Sequence, residues 1–325
     1  MNTLHVNIGL ARYSDWAFTS AVVALVVALL LLAFELAYVG SRRVDRRARV
    51  LAGSVAADSE APGVVGDVGP RPFDERVGRA GLAVVYLGIG LLLACIVLRG
   101  LATMRVPWGN MYEFINLTCF SGLVAGAIVL RRPQYRALWV FLLVPVLILL
   151  TVSGRWLYTN AAPVMPALQS YWLPIHVSVV SLGSGVFLVA GIASILFLLR
   201  TSRLGDPETE GALSRLVQRF PDAQTLDRIA YRTTIFAFPV FGFGVIFGAI
   251  WAEEAWGRYW GWDPKETVSF VAWVIYAAYL HARSTAGWRD RRAAWINVVG
   301  FVAMVFNLFF VNLVTVGLHS YAGVG

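Results

Sequence analysis

Charged side chains are scarce in this sequence. They make up 14% of its 325 residues, whereas hydrophobic types make up 58%. Because a soluble domain carries roughly 25% charged residues, this composition excludes a disordered chain, a coiled coil and almost any soluble globular domain. The mean hydropathy of +0.67 points the same way. The sequence therefore predicts an all-α, polytopic integral membrane helical bundle.

Cysteine and lysine are also rare. The two cysteines, Cys95 and Cys119, lie inside apolar stretches and form no CxxC pair, which argues against thiol redox chemistry and against a structural zinc site. Lysine occurs once, so arginine supplies almost all of the basic side chains behind the net charge of +8. Excess arginine is typical of cytoplasmic loops in membrane proteins, and we favour that interpretation over nucleic-acid binding.

Eight apolar runs, each of roughly 17–25 residues, predict about eight transmembrane helices. They cover 16–39, 80–99, 113–130, 137–152, 176–199, 231–250, 267–283 and 295–317. No small-residue cleavage site follows the first run, so we expect no cleavable signal peptide.

The distribution of basic residues between alternate loops predicts the orientation. The loops at 40–79, 131–136, 200–232 and 283–292 contain 21 of the 27 Lys and Arg residues, and the loops on the other side contain 6. The positive-inside rule then places both termini on the extracytoplasmic side of the plasma membrane. We divide the chain into residues 1–79, a first transmembrane helix plus an Arg-rich, flexible cytoplasmic linker from residue 40, and residues 80–325, the main membrane domain. A short surface helix is expected around Glu208–Phe220.

The segment WAEEAWGRYWGWDPKE at 251–266 is unusually rich in aromatic residues. They are Trp251, Trp256, Tyr259, Trp260 and Trp262. An interfacial aromatic belt explains one or two tryptophans, but four within twelve residues, interrupted by glycines, favour a folded lid over a large, flat, apolar ligand. Two interpretations of Asp263 stay open. It belongs to this lid, or it is only the N-cap of the seventh helix, ahead of Pro264.

Three histidines lie near predicted helix ends. His176 begins the fifth helix and His319 follows the eighth, on the same outer face as the Trp-rich segment, whereas His281 lies in the last turn of the seventh helix at the inner face. Taken singly, each is explained as an interfacial residue. Because imidazole is a usual axial ligand of haem iron, His176 and His319 together predict a haem site. His5, in the N-terminal tail, is assigned no role.

The expected counter-charges for haem propionates are less obvious. Segment 251–266 is net acidic despite Arg258 and Lys265, so Arg99, Arg105 and Arg155 of the outer face are further candidates. A second outer motif, PWGNMYEF at 107–114, adds possible support for the outer site. Its polar members are Asn110, Tyr112 and Glu113. A carboxylate in a first helical turn explains Glu113 alone, but not the cluster.

These motifs resemble a known family. WGRYWGWDPKET, YLHAR and GLHSY, together with NMYEF and LPIHVS, are similar to the CcsA/ResC-type cytochrome c biogenesis proteins of System II, the haem-handling WWD-domain family whose actinobacterial members are often labelled CcsB. The resemblance covers roughly residues 81–325. One departure is visible, since Val268 stands where the family usually has Trp after DPKET.

The resemblance implies a function. His176 and His319 would ligate haem b beside the WWD loop at 251–266, and His281 would belong to a transmembrane haem site. Haem would move outward and be attached to the CxxCH motif of apocytochrome c. The synthase (haem lyase) activity would require a ResB/Ccs1-type membrane partner, with thioredoxin-like proteins reducing the substrate thiols. Membrane lipids are the other expected partner, and nucleic acid is not one.

Other functions stay open from the sequence. They are a CcmC-like haem chaperone or exporter, a non-haem membrane transporter, and a b-type electron-transfer cytochrome. The last is disfavoured because no predicted helix carries two histidines, and the transporter because few polar residues lie at mid-membrane.

Overall fold

The regular structure of this chain is helical throughout the described residues. The computed structural model describes residues 6–53, 72–164, 168–311, 314–315 and 317–319. The long helices are α1 (Ile8–Gly53), α2 (Phe73–Thr103), α3 (Met111–Val129), α4 (Leu138–Trp156), α5 (Trp172–Arg200), α7 (Ala223–Trp256), α8 (Pro264–Ser284) and α9 (Arg291–Phe306). The short helix α6 (Ala212–Val217) lies within the predicted surface helix, and α9 continues into a π-helical turn at Asn307–Val311. The predicted all-α class is confirmed.

Seven of the long helices are long and apolar enough to cross a membrane. These are α1 over Ile8–Tyr38, then α2, α3, α4, α5, α7, and α9 together with its π turn, so the chain is a multi-pass membrane protein. Helix α8 has 21 residues, a sufficient length, but both of its ends carry charged side chains. The eighth crossing and the outward placement of both termini stay predictions.

The segment predicted as a flexible linker is in part helical. Helix α1 runs on to Gly53, and α2 begins at Phe73, so helix occupies both ends of segment 40–79. The prediction was wrong there because five of the ten residues 42–51 are arginine, which is a good helix former. Residues 54–71 lie outside the described residues.

Helix α5 is the centre of the bundle. It packs against α3, α7 and α9, while α1 packs against α2, and α8 against α7 and α9. Small residues allow the closest of these contacts, since a Cβ on Gly185 of α5 would lie 2.5 Å from the backbone nitrogen of Gly122 of α3. Such contacts between small residues are typical of packed membrane helices. This packing brings His176, in the first turns of α5, against Gly244, Gly248 and Trp251 of α7.

Local sequence signals fix the ends of α7 and α8. Helix α7 ends at Gly257, whose φ of +70° favours glycine and whose N–H donates to the carbonyl of Glu253 at 2.8 Å. Helix α8 begins after Asp263, which forms a capping box with Glu266. The predicted WWD loop at 251–266 is therefore shorter than expected. It spans 257–263, and its flanking residues belong to the two helices.

Candidate functional site

A large cavity, here called the site cavity, opens at the end of the bundle that carries the Trp-rich segment. It contains about 1070 Å³ of space free of protein atoms, a volume that includes open solvent at its mouth. Its wall is mostly aromatic and aliphatic, from α3, α5, α7, α8 and α9. The residues of the predicted site in this wall are His176, Trp256, Tyr259, Trp260, Lys265 and His319.

His176 is held in one orientation by helix α7. Its Nδ1 lies 2.8 Å from the carbonyl oxygen of Gly244. Because a carbonyl only accepts, Nδ1 donates, and the lone pair of the neutral ring lies on Nε2. The ring stacks on Trp251 at 6.0 Å and 15°. Gly248 makes room for it, since a Cβ there would lie 2.6 Å from Cε1 of His176.

His319 is held by a carboxylate. Its Nδ1 lies 2.8 Å from Oδ2 of Asp263, so in this neutral ring too the lone pair lies on Nε2. Trp256 and Trp251 contact the ring edge to face, at 5.2 and 6.0 Å. Burial lowers the pKa of His319 below its usual value, and the hydrogen bond to Asp263 opposes that shift only in part. The neutral form, which is the form that ligates a metal, is therefore favoured.

Asp263 connects two parts of the chain. Its carboxylate caps α8 by accepting from the N–H of Lys265 at 3.2 Å, and it accepts from the N–H of Leu318 at 2.7 Å and from His319. Burial raises the pKa of Asp263, but the hydrogen bonds from His319, Leu318 and Lys265 outweigh it and hold the pKa below its usual value. An ionised Asp263 beside a neutral His319 is the expected state of this pair.

The tryptophans divide into two groups. Trp251 is fully buried on α7, and Trp256 and Trp260 line the site cavity. Trp262 is 68% exposed and, with a φ of +57°, adopts a left-handed backbone that is rare for such a residue. Tyr259 lines the cavity but is 62% exposed. Three of the four indoles therefore face inward, while Trp262 faces outward.

The second predicted motif forms a buried ion-pair cluster instead of part of the cavity wall. Asn110 caps α3, and the carboxylate of Glu113 accepts from the N–H of Gly109 at 2.7 Å and from Arg99 and Arg105 at 3.0 Å each. Tyr112 is fully buried, with its ring under the Arg99 guanidinium at 4.9 Å. None of these side chains lines the site cavity. Their supporting role is structural because they join α2 to α3.

The remaining predicted residues lie in separate places. Arg155 is exposed at the end of α4, and Arg258 packs over Gly261 in the 257–263 loop. His281 is exposed in the last turn of α8 and is not part of the cavity wall. It lies sixteen positions after Lys265 on the same helix, or about 24 Å along the axis. His281 is therefore remote from the other two histidines.

Sequence reasoning missed the glycines that support His176. Gly244 supplies the carbonyl that holds the ring, and Gly248 supplies the space. Their spacing of four residues on an apolar helix is the small-residue pattern of a close helix contact. That pattern was visible in the sequence FGFGVIFG.

The cavity and its donors fit a haem. Two neutral imidazoles retain an Nε2 lone pair, each with its Nδ1 held by a protein acceptor, as is usual for metal-ligating histidines. Both rings lie 6.0 Å from the indole of Trp251. The lining of the cavity that both histidines share is mostly apolar. The described residues hold no cluster of three or more His, Cys, Asp or Glu side chains suited to a bare metal ion.

This chain is similar to known proteins of cytochrome c biogenesis. A cytochrome c biogenesis protein CcsA from Gloeobacter violaceus is 35% identical over 299 residues, covering 77% of this chain and 87% of the relative. The CcsA of Guillardia theta is 35% identical over 260 residues, covering 73% and 86%. The solved structure of the cytochrome c haem lyase CcmF shares the fold, with a TM-score of 0.60 at 17% identity, over 92% of this chain and 46% of that longer chain.

The family model described as Cytochrome C assembly protein matches residues 108–319, a range that begins just before Asn110 and Glu113 and ends at His319. That range covers more than half of the chain and includes both cavity histidines and the Trp-rich segment. The resemblance seen in the sequence motifs is thereby confirmed, and this chain belongs to the cytochrome c assembly protein family.

Proposed function

We propose that this chain is the haem-handling subunit of the System II cytochrome c synthase. It moves haem b across the plasma membrane and presents it on the extracytoplasmic face for attachment to a CxxCH apocytochrome c. The observation that carries the proposal is the pair His176 and His319. Each has its Nδ1 held by a protein acceptor, and both line one aromatic cavity. The names of the CcsA relatives support the pathway.

Each part of the cavity has a role in this proposal. His176 and His319 would ligate the iron through Nε2, and Trp256 and Trp260 would flank the macrocycle and exclude water. Trp251 packs against both imidazoles. Asp263 orients His319 through Nδ1 and leaves Nε2 to the ligand. Tyr259 and Trp262, which are largely exposed, form the rim that the apocytochrome meets.

The thiols for attachment come from the substrate. Cys95 and Cys119 are both buried, and neither lines the site cavity. Haem bound in the cavity supplies two vinyl groups, and each CxxCH thiol adds its S–H across one vinyl C=C bond, so no oxidant is needed. The histidine of the CxxCH motif then replaces one of the two cavity imidazoles. Thioredoxin-like proteins keep the thiols reduced before this step.

The transport part of the proposal concerns His281. It lies in the last turn of α8, far from the site cavity, with its side chain exposed. An exposed imidazole at that place suits a haem site shared with a partner, which we propose is the ResB-type membrane subunit. Haem enters near His281 and moves outward to the cavity.

The test is a spectrum of the purified protein. The chain is purified in detergent, with and without the ResB-type partner, and its visible spectrum and pyridine haemochrome are recorded for wild type, His176→Gly, His319→Gly, His281→Gly and the control His5→Gly. We expect b-type haem in wild type and control, loss of the outer-site spectrum in the His176 and His319 variants, and its recovery with added imidazole. His281→Gly should lower total haem without abolishing the outer site.

Two results would contradict the proposal. One is a wild-type protein that carries no haem after haem-replete expression, even with its partner. This result would show that the cavity does not bind haem. Failure of a ResB-type protein to co-purify would favour the CcmC-like chaperone function over the synthase.

A further inference from the structure

Aromatic rings close the site cavity at its inner end, remote from the Trp-rich segment. Phe187 of α5 and Phe241 of α7 lie at this end of the wall, with ring centroids 5.9 Å apart. Phe187 also stacks on Tyr276 of α8, at 3.6 Å and an interplanar angle of 8°. All three side chains are buried. A large ligand could pass from the inner half of the bundle into the cavity only if these packed rings separated.

A second apolar opening, here called the α7–α8 groove, lies between α7 and α8. It is lined by residues of α7 from 238 to 246 and by Phe270 and Trp273 of α8. It contains about 780 Å³ of space free of protein atoms, a volume that includes the open space outside it. The apolar side chains of Phe243 and Ile246 are exposed beside it. Such an exposed apolar surface is typical of contact with a membrane.

The groove and the site cavity share part of their walls. Val245 of α7 lines both of them. On α8, Ser269 lines the cavity, and the next residue, Phe270, lines the groove. The ring of Phe270 also contacts Trp260 of the cavity wall, at 6.2 Å between centroids. A thin layer of side chains between α7 and α8 therefore separates the cavity from the outer surface of the bundle.

The side chain of Trp273 joins the two helices at the groove. Its ring stacks on Phe238 at 4.8 Å and 8°, and its Nε1–H donates to the carbonyl oxygen of Phe238 at 3.3 Å. Gly242 leaves room for it, since a Cβ there would lie 2.8 Å from Nε1. Pro239 has no N–H, so α7 lacks one backbone hydrogen bond beside these contacts and bends more easily there. Trp273 itself is not part of the described cavity wall.

His281 and the groove lie on one exposed side of α8. Phe270, Val274 and His281 are all exposed. They are separated by four and seven positions, which is the spacing of one helix face. Residues 270–280 include no charged side chain. An apolar ligand that starts at His281 could therefore follow this face to the groove without passing a charge on α8.

We propose that haem enters and leaves the site cavity from the side, between α7 and α8, and that Trp273 is the gate. This inference rests on the proposed function and gives the route between His281 and the cavity. A gate that does not touch the bound ligand changes the rates of entry and exit alike and leaves the affinity unchanged. Losing one hydrogen bond and one aromatic stack should raise both rates roughly tenfold.

The test compares the side route with the inner route by haem exchange. The full chain with its partner, in detergent and with His281→Gly to keep the second haem site empty, is used throughout. Uptake is followed by stopped-flow Soret absorbance, and release by transfer to excess apomyoglobin. The variants are Trp273→Ala and Trp273→Phe at the groove, and Phe187→Ala at the inner end. Trp295→Ala, at an exposed position of α9 outside both described linings, is the matched control.

We expect Trp273→Ala to raise uptake and release by similar factors, with an unchanged dissociation constant. Trp273→Phe keeps a ring but loses the hydrogen bond, so its rates should be intermediate. Trp295→Ala should match wild type, and Phe187→Ala should not speed uptake.

Three results would overturn the side route while leaving the proposed function intact. They are wild-type rates in Trp273→Ala, faster uptake in Phe187→Ala alone, and a Trp273→Ala protein with weaker affinity but unchanged uptake, which would show a structural role only. A parent protein that binds no haem in its cavity would overturn the proposed function as well.

Discussion

The carboxylate of Asp263 performs two tasks that the sequence alone presents as alternatives. It caps α8, and it orients His319 from 56 residues away. An asparagine at this position would still cap a helix well. Its amide, however, cannot accept from both His319 and Leu318 as the carboxylate does. The two tasks can therefore be separated by one substitution.

Asp263→Asn should weaken haem binding while leaving the helix in place. Loss of the acceptor behind a metal-ligating histidine typically costs 10–100-fold in affinity, so we expect a loss of about that size in a haem titration. Asp222→Asn is the control, because Asp222 caps α7 through Thr225 and is not part of the cavity wall. Equal affinities for the two variants would contradict the role given to Asp263.

The close contact of α5 with α7 determines where His176 lies. Gly244 and Gly248 leave α7 without side chains where the imidazole and Val180 of α5 approach it. A methyl group at Gly248 would meet the imidazole at 2.6 Å, well inside van der Waals contact. Because both helices are packed on other sides as well, the ring is the group that has to move.

Gly248→Ala should therefore displace His176. Overpacking of this kind costs about 1–3 kcal/mol, and we expect a lower melting temperature and a weaker Soret band from bound haem. Gly90→Ala on α2 is the matched control, since a Cβ there meets nothing within 4 Å. A wild-type Soret intensity in both variants would show that the position of the His176 ring does not depend on the space at Gly248.

The ion-pair cluster around Glu113 supports the cavity from behind. Arg99 also donates to the carbonyl of Thr159, and Arg105 donates to that of Ala162 at 3.0 Å. The cluster thus ties α2 and α3 to the segment before α5. Leu168 of that segment belongs to the same apolar cluster as Trp251, so the ion pairs anchor a segment that packs in the cluster containing this indole.

Glu113→Gln should destabilise the protein without touching the cavity. Removing one partner of a buried ion pair costs up to about 3–5 kcal/mol. Arg99 is only 1% exposed and would keep only its longer ion pair with Asp15, at 3.7 Å. We expect a clearly lower melting temperature in detergent. Glu253→Gln, at an exposed position near the end of α7, should melt like wild type, and a similar melting temperature for Glu113→Gln would refute the buried pairing.

At the scale of the whole molecule, the charge asymmetry predicts which end of the bundle faces the cytoplasm. The Trp-rich segment lies at the end poor in arginine, and the loop carrying α6 lies at the end rich in it. The natural cysteines are both buried, so single surface cysteines can report the orientation against little background.

Glu253→Cys and Glu208→Cys should react on opposite sides of the membrane. Both positions are exposed. With a membrane-impermeant maleimide on intact spheroplasts, we expect labelling at residue 253 and none at residue 208 until the membrane is broken. The reverse result would place the site cavity on the cytoplasmic side and exclude attachment of haem outside.

The number, order and approximate bounds of the long helices follow from the sequence by itself. A transmembrane helix satisfies its own backbone hydrogen bonds, so an apolar run of sufficient length determines it locally. Caps are equally local, and Asp263 with Pro264 was predicted as a helix start. The helical extension of α1 to Gly53 was missed because an apolar length says nothing about a polar helix beyond it.

The composition of the cavity wall was decided only by the tertiary structure. The sequence motifs predicted Glu113 and Lys265 as possible support for the outer haem site. In the structure Glu113 is buried behind the cavity wall, whereas Lys265 lines the cavity. The pairing of His319 with Asp263 likewise depends on how the end of α9 meets the start of α8. Side-chain direction and proximity between distant segments are set by helix packing, whereas helix formation depends on neighbours along the chain.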